Sequence, residues 1–560
     1  MRKSNRAKKS PVRPPSPAAP IAPETWPSWA LPLACALISF VVLFAAYNPA
    51  PPTGGDDATY LALARSLLNN GEYRDIWDPL RPPHVQYPPL FPLLLAGGLV
   101  AGLTPAFGLK VVIIVFAAAA VGLSVAWATK TGGAAIAAAV GLFLSLSPGI
   151  AILSHSVLSD IPFWAVTALA LLLWTRYAER ANEKSFRSPA DEATAVGIAT
   201  AVTVVANFTR SAGLPLVAAA AAWLIYRRRW RALMVFFVIA VPPIILWWLR
   251  TRSVGHAGYV APFLARNPYD PSQGTIGLSD FPRRIADNAG YYVTRHLPMA
   301  IIGRTWPGAA LAFPVVALAI GGWIRRLRKP GIVELWVPMY VGLVLVWPAT
   351  WSSERFILPL FPLLLVYAAE TLLWILRPTG WLATPAALTA GVVVLGFLLS
   401  DLSRELRNSA ACRENIADGN IFACTPTVFA DFFHLADEAR GKLPSGSVVL
   451  SRKPSVFFVR SGYRSALYPL NSDPARLFAT ADSVGAKYLV VDQIPGIGPR
   501  YLHPIMLKRR DDFCIVNELS FPNASLAKID TTAPPRIGVK AANSFRGCPL
   551  NPAAMRNRSR

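Results

Sequence analysis

The sequence predicts an all-α polytopic membrane domain followed by a small extracytoplasmic α/β domain. Three observations carry that reading. The 560 residues are 53% hydrophobic and only 15% charged, where a soluble globular protein carries roughly a quarter charged residues, and the mean hydropathy is +0.40. Apolar runs recur between 29 and 400 and approach the ~20 residues that a helix needs to cross a bilayer. From about Asp401 to Arg560 the long apolar runs stop.

The chain therefore divides into a tail (1–28), a transmembrane domain (29–400) and a C-terminal domain (401–560). The tail, beginning MRKSNRAKKSPVRPPSPAAP, is basic and Pro-rich and is expected to be disordered. A net charge of +24 does not point to nucleic acid here. Lys and Arg cluster in short runs between apolar segments, as the positive-inside rule expects, and the tail can lie against anionic lipid. No nucleic-acid motif accompanies them. The first apolar run starts near Trp29 after a long tail, and no convincing small-residue cleavage site follows, unlike a signal peptide.

Spans are expected at about 29–49, 108–129, 133–152, 161–178, 193–209, 212–226, 232–250, 302–323, 334–350, 356–376 and 381–400. The stretch YPPLFPLLLAGGLVAGL (Tyr87–Leu103) is short, and three of its first six residues are Pro. Parity decides its role. With the tail inside, a crossing at 88–103 would put the loop of Arg176, Arg180, Lys184 and Arg187 outside, together with RRRWR (227–231) and RRLRK (325–329). An interfacial or re-entrant segment puts all three inside, so the positive-inside rule selects eleven spans and one such segment. Asp56, Asp57, SHSVLSD (154–160), Arg210, the 251–300 loop, WSSERF (351–356) and the C-terminal domain then share the extracytoplasmic face.

Cys35 falls in the first span, and the other four cysteines fall in the outer domain. An even number in an oxidising compartment predicts up to two disulfides. Sequence proximity prefers Cys412–Cys424 and Cys514–Cys548, with four buried thiols as the alternative. GSVVLSR (446–452), SVFFVRSG (455–462) and AKYLVVDQ (486–493) read as short strands, and DPARLFATADSVG (473–485) as a helix. No Gly-rich phosphate loop, metal-spaced His/Cys cluster or nucleophile elbow is present in this domain.

In the first outer loop, Gly54-Gly55 breaks the chain, and DDATYLALARSLL follows with Tyr60, Leu63, Ala64 and Leu67 at helical spacing; Asn70-Gly71 ends the helix. An N-cap and a first-turn acid would account for Asp56 and Asp57 structurally. Two carboxylates exceed what a cap needs, however. Asp160, His155, Arg210 and Arg355 stand at other outer helix ends, able to converge on the same spot. In the long 251–300 loop, 278–298 reads as an amphipathic helix at the outer surface, with a lid over a ligand as the sharper alternative.

The ordered set GDDATYLALARSL, YPPLFPLLLA, LSDIPF, TRSAGLPL and RFILPLFPLLL, spread over roughly 30–400, resembles the GT-C integral-membrane glycosyltransferases. Bacterial members near the aminoarabinose transferases and protein O-mannosyltransferases are the nearest likeness. The resemblance implies juxtamembrane helices in the first outer loop and a bacterial inner-membrane location. It implies a polyprenyl-phosphate sugar as donor, a lipid, glycan or protein as acceptor, and inverting hexosyl or pentosyl transfer at the outer face. By match, Asp56 is the essential carboxylate. An Arg in each of two motifs, Arg210 and Arg355, is implied for donor phosphate, with Lys110 as a further candidate. Snorkelling to the interface is the alternative for these three.

The chemistry fits those types. A phosphate leaving group needs cations rather than a protonated acid, so a single carboxylate acting as general base on the acceptor suffices, unlike the pair in a glycosidase. Arginine suits phosphate because its planar fork stays charged and donates in pairs. Asp160, with Asp57, is a candidate for acceptor or metal contacts, and helix capping is its structural alternative. A divalent cation is left open: Asp56, Asp160 and His155 or His84 could ligate one beside the donor phosphate. A transporter or flippase for lipid-linked sugars, or a non-catalytic relative, are the competing functions. The first predicts midplane polar residues and paired broken helices, which the sequence does not display.

Overall fold

A computed structural model describes residues 27–254, 260–305, 308–377, 383–531 and 545–548; the expected tail up to residue 26 and the start of the 381–400 run lie outside them. The chain opens with α1 (Ala30–Ala45), α2 (Asp56–Asn70), α3 (Leu90–Val100) and α4 (Gly108–Gly132). The 133–152 run is two helices, α5 (Ala134–Ser145) and α6 (Pro148–Leu153). Pro148 cannot continue a helix inward, and the Ser147 hydroxyl caps the new one by accepting from the Ile150 N–H. Next come α7 (Asp160–Glu183), α8 (Pro189–Thr209), α9 (Leu214–Tyr226) and α10 (Trp230–Ser253). By length and composition, α4, α7, α8 and α10 can cross a membrane; α1, α3, α5, α9 and two later helices are shorter apolar ones.

The 251–300 region contains α11 (Val260–Leu264) and α12 (Phe281–Tyr291), and runs through a wide turn into α13 (Leu297–Ile302). The surface-helix expectation meets a helix with one buried polar stripe. Arg284 donates to the Phe263 and Ala265 carbonyls, and Asn288 donates to those of Leu345 and Trp347. Then follow α14 (Gly308–Arg326), α15 (Ile332–Val346), α16 (Phe361–Leu376) and α17 (Ala383–Ala417), which continues well past residue 400.

Large aromatics such as Trp127, Trp164, Trp174 and Trp336 fill the helical core, while apolar side chains such as Val238, Phe313 and Val41 face outward. That inside-out apolar surface is what lipid solvates. Helices approach closely where a side chain is missing: a Cβ on Gly322 would lie 2.4 Å from the Tyr367 carbonyl oxygen across the α14–α16 contact. At the helix ends far from the C-terminal sheet, the basic loops are paired. Arg326 meets both Glu370 and Glu334, Lys130 meets Glu179, and Arg180 meets Asp191.

The C-terminal part adds α18 (Thr427–Ala439), β1 (Val448–Leu450), α19 (Pro454–Ser461), β2 (Arg464–Ala466), α20 (Pro474–Val484), β3 (Ala486–Asp492), α21 (His503–Lys508), β4 (Phe513–Phe521), β5 (Ala524–Ile529) and β6 (Arg546–Cys548). The sheet order is β2-β1-β3-β5-β4-β6. Its β2, β1 and β3 are parallel, and β3, β5 and β4 antiparallel. The strand expected at 455–462 is helix α19 instead. Pro454 sits at its first turn and Gly462 closes it in the left-handed conformation at φ 82°, so the ends outweigh the β-forming Val and Phe between them. Parallel β1 and β2 need such a crossover. Disulfides join Cys412 to Cys424 and Cys514 to Cys548; Cys35 is free and buried.

This sheet domain rests on the first loop. The Ser465 N–H on β2 donates to the Trp77 carbonyl at 2.7 Å. At the N-termini of α2 and α19, Thr59 Oγ1 donates to Ser455 Oγ at 3.0 Å.

Candidate active site

The α2 helix sets the first group. Its N-cap is Gly55, with no side-chain cap bond, so Asp56 and Asp57 are both first-turn residues and neither is consumed as a cap. Asp56 turns toward the helical layer. Its Oδ1 accepts from the Tyr87 hydroxyl at 2.9 Å, and its Oδ2 from Arg355 Nη2 at 2.7 Å. Arg355 follows Ser353 and Glu354 in a short helical turn before α16, braced by a 3.4 Å contact between Glu354 and His296. Its Nη1 lies 3.8 Å from Asp160 Oδ2. Asp160, the first residue of α7, holds Arg210 Nη1 at 2.7 Å through its other oxygen. Arg210 also donates to Ser159 Oγ at 3.3 Å and lies over the Phe356 ring.

Asp56, Arg355, Asp160 and Arg210 thus form one chain of alternating charge. Each buried ion has an opposite neighbour, which is the condition for keeping charges out of water. Burial opposes ionisation of Asp56, but the charge and hydrogen bond of Arg355, with help from Tyr87, outweigh it and hold the carboxyl below its ordinary value. Three of the four, Asp56, Arg355 and Arg210, line a cavity of about 610 Å³ with Gln86, Tyr269 and Trp351 on its walls. Lys453, from the sheet domain, enters the same cavity and donates to the Thr53 carbonyl at 2.9 Å. A smaller apolar slot of about 120 Å³, between Leu343, Val344 and Ala212, also ends at Arg210.

The remaining expected groups are placed differently. Asp57, next in sequence to Asp56, is buried, and burial foremost, with the neighbouring Asp56 charge, pushes its carboxyl up to about 6. Lys110 is neither snorkelling nor near the arginines: it is buried and donates to the Asn48 and Ala50 carbonyls, both at 2.8 Å. Those carbonyls belong to the segment that follows α1, and the ammonium satisfies them. His155 faces Glu405 at 3.8 Å, away from Asp56. Burial, then Lys110, push its imidazole down to about 4, so at neutral pH this is not an ion pair.

His84 is consumed within its own loop. The Tyr87 N–H donates to its Nε2 at 2.8 Å, which leaves the proton on Nδ1 for Asp75 at 2.6 Å. The cation set of Asp56 and Asp160 with His155 or His84 is therefore not assembled. Among the described residues, no group of three or more His, Cys, Asp and Glu stands close enough to hold a metal ion. Sequence reasoning did not reach Lys453 as a member of the cavity. The sole signal is a lysine before the proline that starts α19.

No protein-family model and no curated protein matches this chain. Solved structures do. One is ArnT from Cupriavidus metallidurans bound to undecaprenyl phosphate, with a TM-score of 0.53 and 16% identity over 90% of this chain and 99% of that one. Its apo state matches at 0.52 and 17% identity, with the same coverage. The Archaeoglobus fulgidus oligosaccharyltransferase tethered to an acceptor peptide matches at 0.56 and 11% identity, over 90% of this chain and 74% of that one. Identities this low speak to architecture alone, and the likeness extends over nine tenths of the chain: this chain has the GT-C fold of the integral-membrane glycosyltransferases.

Proposed function

We propose that the protein is a membrane glycosyltransferase of the bacterial inner membrane. It moves a hexose or pentose from a polyprenyl-phosphate donor to a lipid, glycan or protein acceptor at the extracytoplasmic face. The observation that carries this reading is the cavity of about 610 Å³ in which Asp56, Arg355 and Arg210 meet. The apolar slot that ends at Arg210 supports a lipid phosphate, with the prenyl chain beside α15 and the phosphate against the guanidinium. The paired basic loops at the opposite helix ends support a cytoplasmic position for that side. The domain organisation 1–28, 29–400 and 401–560 belongs to the same reading.

In this mechanism the acceptor's oxygen or nitrogen attacks the anomeric carbon from the face opposite the phosphate. The bond to the lipid phosphate breaks, and the configuration inverts. Asp56 takes the acceptor's proton. Arg355 and Arg210 carry the charge that grows on the leaving phosphate. The donor phosphate competes with Asp56 for Arg355. Sharing that guanidinium weakens the clamp that depresses Asp56 and so raises its basicity as donor binds. Asp160 keeps both arginines oriented.

The test incubates the purified full-length protein with a panel of undecaprenyl-phosphate sugars and an envelope lipid and glycan extract, followed by mass spectrometry. Release of undecaprenyl phosphate together with a glycosylated product is expected, and Asp56→Asn removes both. Absence of product with every donor rejects the reading.

A further inference from the structure

A second cavity lies on the other side of the α2 N-terminus. It measures about 360 Å³, within the roughly 300–1,000 Å³ of small-ligand pockets. Leu61 and Leu109 form its wall on the helical layer, and Ile421, Phe422, Val456 and Val459 form its wall on the sheet domain. That second wall is rigidly built. The Phe422 ring packs against Phe433 at 5.7 Å and His434 at 4.5 Å, with the Arg460 guanidinium 5.0 Å above it. The Cys412–Cys424 disulfide closes the loop that carries Ile421 and Phe422.

Three charged side chains border this cavity: Asp57, Lys110 and Arg460. Arg460 is spent on Asp437, and Lys110 on two backbone carbonyls. Asp57 has capacity left. The residue is 7% exposed, and its buried Oδ1 has no hydrogen-bond partner among the described residues. It also borders the polar cavity, so it stands where the two spaces meet. A buried carboxylate oxygen without a donor is costly. Here the residue that carries it borders a space lined by apolar side chains.

We propose that this apolar cavity receives the hydrophobic part of the acceptor, an amphiphile whose amine or hydroxyl donates to the Asp57 carboxylate and is thereby held at the border with the polar cavity. The name acceptor rests on the glycosyl-transfer reading; the pocket and its ligand chemistry do not. The walls bury the chain, and the carboxylate selects donor headgroups. A carboxylate or phosphate headgroup meets repulsion from Asp57. Placing the nucleophile beside Asp57 brings it to the helical turn that also carries Asp56.

The test uses full-length protein in nanodiscs and dodecylamine bearing a diazirine, with diazirine-dodecanoic acid as the matched anion. Peptide mass spectrometry is expected to find the amine crosslinked to the segments around Ile421-Phe422 and Val456–Val459, with the acid much weaker. Asp57→Asn lowers amine labelling at least about tenfold, and Val456→Trp, which fills the cavity, abolishes it. Size-exclusion profile and melting midpoint report that each variant is folded. Equal labelling in Asp57→Asn, equal labelling by the acid, or labelling that survives Val456→Trp overturns the proposal. Labelling needs neither donor nor transfer. Intact cavity labelling beside absent transfer therefore counts against the glycosyltransferase reading and for the pocket.

Discussion

Asp56 and Asp57 are consecutive residues in one helical turn, and the fold gives them opposite surroundings. Asp56 lines a polar cavity, has both oxygens hydrogen-bonded, and is held below the usual carboxylate range by Arg355. Asp57 lies at the edge of an apolar cavity, has one buried oxygen without a partner, and is pushed up to about 6. Identical side chains a residue apart thus differ in charge stability and in what they can bind. The difference teaches that the pair is not a redundant acidic cap: one member belongs to a charge relay, the other to a desolvated border.

The largest expected effect comes from breaking the relay at its carboxylate. Asp56→Asn keeps the shape and removes the proposed base, and transfer should fall by about 10²–10⁴-fold, read as product per minute in a donor-saturated assay. Unchanged turnover would move the base elsewhere, with Asp57 the first alternative. Next comes Arg355→Ala, which removes the proposed partner of the donor phosphate and frees Asp56. A loss of roughly 10²–10³ in turnover is expected. Arg355→Lys should recover little of it, because an ammonium cannot bridge Asp56 and Asp160 as the fork does.

Titration sharpens the contrast without any substrate. Asp57 has a native pKa near 6 against 3.8 for the free group. As pH rises from about 4 to above 6, the unfolded chain loses this proton before the native one. The native state is therefore disfavoured over that window, by about 3 kcal/mol at completion. Asp57→Asn removes the penalty, so its melting midpoint should gain on the wild type as pH rises through that window. Asp56 carries the opposite sign. Its depressed pKa contributes stability that is present above 3.8 and lost as pH falls below it. The destabilisation of Asp56→Asn should accordingly be full at pH 7 and shrink in acid. Parallel pH profiles for the two variants would erase the comparison. The smallest effect is expected from Lys453→Gln. It removes a cation from the cavity rim while leaving the four-residue relay intact, and should raise the donor KM by a few-fold, about 1 kcal/mol or less, with kcat little changed.

Much of this was legible in the sequence because a bilayer imposes a blunt rule: a spanning segment must be helical and apolar along its length. That rule exposes the helices and leaves polar residues conspicuous at their ends, which is how Asp56, Asp160, Arg210 and Arg355 stood out. It says nothing of partners. Lys110 and His155 also sit at helix ends, yet one is consumed by carbonyls of the segment after α1 and the other is turned toward Glu405. Residues 455–462 read as a strand from Val and Phe, and became a helix because β1 and β2 run parallel and need a crossover.

By itself, then, the sequence determined the helical membrane layer, the appended α/β domain and the residue types gathered at one end of the helices. These follow from hydropathy and periodicity, which are local properties of the chain. Which acid meets which arginine, that Lys453 enters their cavity and reaches the Thr53 carbonyl 400 residues away, and that Asp57 borders an apolar space were decided by tertiary structure alone. Charge pairing and desolvation depend on distances between elements, and no local pattern encodes those.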